Sequence, residues 1–263
     1  MTPAQLSRTV LHTLRRAVED GELPAAVRTP EKVTLRRPPH GDADYASNLA
    51  LRLAPALGRP ARQIAEILRI RLAQQPGIAR VEVAGAGFLN ITVRAAGRTA
   101  VVREAIAAGR RAQPAALPED PARDAARWAA VTGHPVTCER RDSQPLFRVQ
   151  YAHARTRALL TNARDLGFGP EPGSYETPAE AALIALLADS GRISEHGTPD
   201  RLARQLEAVA EAFCDVHDVH PILPRGDEKP RAAHRARLAL AEATGAVLAG
   251  GLTQLGISAP NHL

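Results

Sequence analysis

From Arg148 to Leu263 the apolar residues recur at helical spacing, and only clusters rich in proline and glycine interrupt them. Such a period, with no alternating run, admits helices and excludes a sheet over this half of the chain. The interrupting clusters, among them "GFGPEPG" and "HPILPRGDEKP", are short, so successive helices must fold back on one another. The spacing predicts helices near 149–165, 178–190, 198–218 and 230–254, an all-α bundle.

Residues 1–97 carry a different pattern. Thr2 can cap a first helix, Pro3 suits its first turn and Gly21 its end, with Leu6, Val10, Leu11, Leu14 and Val18 on one stripe. "EKVTLRRPP" reads as a strand stopped by two prolines, and "DYASNLALRLAPALG" and "PARQIAEILRIRLAQQPG" read as two helices. "IARVEVAGAGFLNITVR" is a hairpin, since Val81 and Val83 alternate, "GAG" turns, and Phe88 to Val93 return. The fold class expected is therefore an α+β domain over 1–97 followed by an all-α bundle over 148–263. Residues 98–147 hold a short helix, "RTAVVREAIAAGRRA", and another near Asp120 to Ala130, and are otherwise a connector rich in Pro, Asp and Arg.

The formal charge of +6 suggests a polyanionic partner, but it is not spread evenly. Residues 1–97 carry 14 basic against 8 acidic side chains, whereas residues 148–263 carry 12 against 14. A mildly acidic bundle does not bind nucleic acid by bulk charge, so local clusters such as Arg148, Arg155, Arg157 and Arg164 must do it if it does so at all. Cys138 and Cys214 match no metal or redox spacing and read as reduced thiols. The first helix has no uninterrupted apolar stretch and no run is long enough to span a membrane, so a cytoplasmic protein is expected.

"PPHGDADYASNLALRL" and "VEVAGAGFLNITV" near one end of the chain, and "VQYAHARTRALL" and "LGISAPNHL" in its other half, resemble segments of the arginyl-tRNA synthetase family, class I enzymes. "PPHGDADYASNLALRLAPALGRPARQIAEIL" is similar to that family's "P-x-HGDYAxNxAL" signature and the helix after it, with Ala43 and Asp44 inserted, and "VEVAGAGFLNITV" resembles its "GPGFINF" segment. "VQYAHARTRALL", "RLARQLEAVAEAFCDVHDVHPIL" and "RARLALAEATGAVLAGGLTQLGISAPNHL" resemble its DALR-type anticodon-binding helices, where the usual ending is close to "LGVSAPERM". "DAARWAAV…RDSQPLFRVQYAHAR" resembles the tail of the catalytic region where it enters that domain. The rest of that region has no counterpart: no "HIGH" or "KMSKS" motif is present, "TGHPV" holds one histidine, and Lys32 and Lys229 are the only lysines.

The resemblance implies contacts. Phe88 and Asn90 stand where the family meets a D-loop nucleotide, a ring to stack on a base and an amide to read its edge. Asn48, with His40, Gly41 and Asp42, belongs to the first signature, as a tRNA contact or as turn and cap residues. Tyr151 and Arg155, one helical turn apart, His217, Asn261 and Leu263 fall where the family faces the anticodon arm. His217 replaces a tyrosine, Val216 a second aromatic and Leu263 the family's terminal methionine. The competing assignments make Phe88 a core residue and Tyr151 a bundle anchor, with His153 facing solvent. His40/Asp42/Asp44 and His217/His220 beside Asp215 and Asp218 are spaced for a metal but lack further ligands, so no metal and no cofactor are expected. Ser143 and Ser174 have no matched base. The function expected is tRNA binding, arginine-type, without aminoacylation, alone or beside a full-length synthetase or a tRNA-using enzyme. The alternatives are a component of an aminoacyl-tRNA-using transferase and a protein–protein adaptor that has lost RNA binding.

Overall fold

Thr2 Oγ1 accepts a hydrogen bond from the Gln5 amide, and the Gln5 side-chain oxygen accepts one from the Thr2 amide, which starts α1 (Pro3–Glu19). The computed structural model describes residues 1–24, 29–36, 38, 43–112, 117–137 and 139–263, and of Ala95 the backbone alone. His40, Gly41, Asp42 and Cys138 lie outside the described residues. The chain divides into two units, Met1–Arg98 and Thr99–Leu263.

In the first unit α1 is followed by β1 (Leu35–Arg36), β2 (Tyr45–Ser47), α2 (Leu49–Leu57), α3 (Ala61–Ala73), β3 (Ile78–Ala84) and β4 (Phe88–Val93). The strands form one antiparallel sheet in the order β1-β2-β4-β3. Leu6, Val10 and Leu14 of α1, Ile64, Leu68 and Leu72 of α3, and Leu89 and Ile91 of β4 are fully buried in one core. The helices therefore cover the sheet face that carries Leu89, Ile91 and Val93, and strand alternation sends Phe88, Asn90 and Thr92 to the opposite face.

One sequence expectation is corrected here. "DYASNL" does not begin a helix: Tyr45–Ser47 is a strand, with Ala46 opposite Asn90, and α2 starts only at Leu49. Tyr45 and Ser47 are both buried, so the three residues gain more from pairing with β4 than from an extra helical turn. Asn48 stands at the α2 N-cap without a side-chain cap bond, and the Leu49 amide donates instead to Ser47 Oγ at 3.3 Å.

The second unit contains most of α4 (Ala95–Ala112), then α5 (Pro121–Thr132), α6 (Pro145–Asp165), α7 (Pro178–His196), α8 (Pro199–Val219) and α9 (Ala232–Gln254). α5, α6, α7 and α8 each carry proline in the first turn, where a missing N–H costs nothing. α9 is buried through its middle: Leu238, Ala239, Leu240 and Ala241 are consecutive core residues, and the helix packs on α6, α7 and α8. Its glycines permit this. A β-carbon on Gly251 would meet Leu206 Cδ2 at 2.5 Å, and one on Gly245 would collide with Thr156 Oγ1. Residues 98–147, read from the sequence as a connector, place Val101, Val102, Ile106 and Trp128 in the core of this helical unit.

In the hairpin turn Gly87 has φ +135°, and a β-carbon there would stand 2.9 Å from the Ala61 backbone. Gly87→Ala should therefore destabilise the first unit by about 1–3 kcal/mol. Faster hydrogen exchange at the Val83 and Leu89 amides, with α9 unaffected, would register it.

Candidate nucleic-acid interface

Phe88 follows the constrained Gly87 and is 44% exposed, although the next residue along the strand, Leu89, is apolar and fully buried. Its exposure removes the assignment of this ring to the core. Asn90 shares its face and lies between Ala46 on β2 and Glu82 on β3, with Arg36 beyond Ala46. A methyl on one side leaves the Asn90 amide open, and among the described residues that side chain makes no hydrogen bond. Glu82 is held by Arg80 at 2.5 Å, which keeps its carboxylate engaged beside Asn90. Asn48 follows Ser47, the residue opposite Leu89, and so stands at the Phe88 end of the pairing. Asp44 is not poised for a metal: it accepts the Val93 amide at 2.8 Å and pairs with Arg98 at 3.1 Å. An aromatic face and an unpaired amide on one exposed strand can stack on and hydrogen-bond an unpaired base.

On the helical unit, Phe147, Tyr151 and Arg155 follow one another at successive turns of α6. Tyr151 is 44% exposed and packs against the Phe147 ring at a centroid distance of 5.8 Å. It is not a buried anchor of the bundle. Arg155 Nε donates to His217 Nε2 of α8 at 3.1 Å, and His217 Nδ1 lies 3.3 Å from Asp218 Oδ1. Nε2 accepts from Arg155 in the tautomer whose Nδ1–H donates to Asp218. The guanidinium keeps its remaining N–H groups for an incoming phosphate or base edge. The structure thus brings together Arg155 and His217, 62 residues apart.

The chain end is held in place. α9 closes with Gly256 at φ +72°, the Gly256 amide donating to Thr253 O and the Ile257 amide to Leu252 O, both at 2.9 Å. Gln150 Nε2 donates to Ser258 O at 3.0 Å, and His153 Nδ1 to Pro260 O at 2.9 Å. Asn261, His262 and Leu263 follow as exposed residues. His153 is therefore buried at 4% exposure, not facing solvent. Burial, and more weakly Arg157, push its pKa below the ordinary imidazole value, against the hydrogen bond to Pro260. The sequence gives no sign of Gln150 and misplaces His153 because neither belongs to a recognisable constellation; the carbonyls that hold them are more than 100 residues away.

Among the described residues no group of three or more His, Cys, Asp or Glu side chains is placed to hold a metal ion, and no helix is long and apolar enough to cross a membrane.

The two regions match separate family models: residues 4–93 match the arginyl tRNA synthetase N terminal domain, and residues 149–263 the DALR anticodon binding domain. The chain joins those two domains. Among solved structures it resembles Thermus thermophilus arginyl-tRNA synthetase at 24% identity and a TM-score of 0.44. That match covers 65% of this chain and 33% of the synthetase, so the chain spans about a third of that enzyme's length. The exposed hairpin lies within the N-terminal synthetase match, and most of α6, all of α8 and residues 256–263 lie within the DALR match. Between the matches lie residues 94–148, which among the described residues form α4, α5 and the start of α6, with no strand.

The depressed pKa of His153 gives the DALR domain a pH dependence. A base that is harder to protonate when folded contributes stability above its unfolded pKa, near 6.5, and that stability is lost as pH falls below this value. Melting temperature should therefore drop more steeply on acidification in the parent chain than in His153→Asn, which keeps a donor for Pro260 without a titrating ring.

Proposed function

We propose that the chain is an arginyl-tRNA synthetase-related, tRNA-binding protein of the cytoplasm that works without an aminoacylation domain. The observation that carries this reading is the same on both domains. Each exposes an aromatic ring with a hydrogen-bonding group one repeat away: Phe88 with Asn90 on a strand, Tyr151 with Arg155 on a helix. The first pair suits an unpaired D-loop base, and the second, with His217, Asn261 and Leu263, suits the anticodon arm of an arginine-type tRNA. A doubly wound nucleotide-binding domain takes roughly 100–150 residues. Residues 94–148, between the two matches, are fewer and largely helical. On this reading the protein grips tRNA to deliver, sequester or sense it, alone or for a full-length synthetase or another tRNA-using enzyme.

Binding to an arginine-accepting tRNA, measured over a range of salt against a duplex RNA of similar length, tests the reading directly. Phe88→Ala should cost about 1–3 kcal/mol in affinity, the worth of one base–aromatic stack. Its melting temperature should be nearly unchanged, because the ring is exposed. Asn90→Ala should lose less affinity and more discrimination at the contacted base. Unchanged affinity in Phe88→Ala would remove the D-loop assignment and favour an adaptor.

A second expectation concerns chemistry. Arginine-dependent ATP–pyrophosphate exchange by the purified chain should not exceed that of a vector control, and exchange above it would refute the non-catalytic reading.

A further inference from the structure

α5 lies in neither matched segment, yet it carries a carboxylate buried to 1% exposure, Asp124. Arg123, its neighbour, approaches one oxygen at 2.9 Å. The remaining partners come from far along the chain. The Ser258 amide donates to both oxygens at 3.2 and 3.3 Å, Ser258 Oγ donates to Oδ2, and Gln150 Nε2 lies 3.4 Å from Oδ2. One helical turn further along α5, Arg127 packs over the chain end: a β-carbon on Gly256 would stand 3.3 Å from its Cζ. Trp128 anchors the same helix in the core.

A buried carboxylate is costly unless donors satisfy it. Here two of those donors, the Ser258 amide and hydroxyl, come from beyond α9, so Asp124 keeps its full set of partners only while Ser258 stays against α5. Gln150 closes the arrangement by donating both to Asp124 and to the Ser258 carbonyl, and His153 fixes the Pro260 carbonyl two residues later. Asn261 leaves from that fixed point.

We propose that Asp124 is a positioning residue for RNA binding: acting through Ser258, it fixes the point from which Asn261, His262 and Leu263 meet RNA. The inference rests on the tRNA-binding reading given above. It gives α5 a role beyond linking two domains, since the DALR domain's terminal contact is set by a helix outside that domain's matched length.

The test uses the full chain, with Asp124→Leu, Asp124→Asn and Ser258→Ala, each also combined with removal of residues 261–263. Hydrogen exchange of the free protein comes first. In Asp124→Leu the amides of residues 257–259 should exchange faster while α6 and α9 stay protected, and Asp124→Asn, which keeps one acceptor oxygen, should restore part of the protection. Ser258→Ala, which removes only the hydroxyl, serves if Asp124→Leu does not fold, and should give a smaller acceleration in the same amides. Affinity for a purified arginine-accepting tRNA comes second. Asp124→Leu and removal of 261–263 should each weaken binding, by about tenfold at most, and together no more than the larger of the two. Unchanged exchange at 257–259 overturns the proposal whatever the RNA result. An Asp124→Leu loss that persists in full after removal of 261–263 also overturns it, because the residue then acts through the fold. Absence of tRNA binding by the parent chain overturns the tRNA reading and this role with it, while the exchange result still shows separately whether Asp124 holds the chain end.

Discussion

The helical unit depends on how closely α9 can approach its neighbours. A helix buried over most of its middle length must be surrounded, and Gly245 and Gly251 let α6 and α8 come near enough to do so. With α6 fixed in this way, its outward stripe of Phe147, Tyr151 and Arg155 has a set direction, and its inward residues Gln150 and His153 reach the chain end. A larger residue at either glycine would push the helices apart and shift the exposed stripe with them. The surface offered to a ligand is thus decided by two hydrogen atoms in the interior.

The two candidate surfaces reach similar chemistry by different routes. On β4, alternation places Phe88 and Asn90 side by side, and the pleat keeps both clear of the core. On α6, the pitch of the helix brings Tyr151 and Arg155 together, and α8 adds His217 as an acceptor that restrains the guanidinium. Restraint matters for a long side chain, because rotamer freedom already lost before binding need not be lost during it. The strand face reads an edge with an amide, whereas the helix face offers positive charge in a domain whose overall balance is slightly acidic.

Much of this was legible in the chain. Pro178 and Pro199, each preceded by threonine, mark the starts of α7 and α8, and Gly77 marks the bend before β3. The hairpin register followed from alternation about "GAG". What escaped was everything decided at long range. "YAS" is too short to show a period, and it is a strand only because β4, more than 40 residues later, lies beside it. The pairing of Arg155 with His217, and of Asp124 with Ser258, has no local signal, since each joins groups 62 and 134 residues apart. α4 carried an apolar pattern, but nothing in it said that Val101, Val102 and Ile106 would enter the helical core.

Trp128 is the chain's single tryptophan, and it sits at 1% exposure in the core of the helical unit. Indole emission reports the polarity around one ring, so the tryptophan fluorescence of this protein, excited at a wavelength that tyrosine does not absorb, belongs to that unit alone. The N-terminal unit is optically silent by the same measure. A fluorescence melt and a backbone circular-dichroism melt of the same sample therefore view different parts of the molecule, and any gap between their midpoints measures how independently the two units unfold. Because Trp128 shares α5 with Asp124, the same signal also watches the helix that grips the chain end.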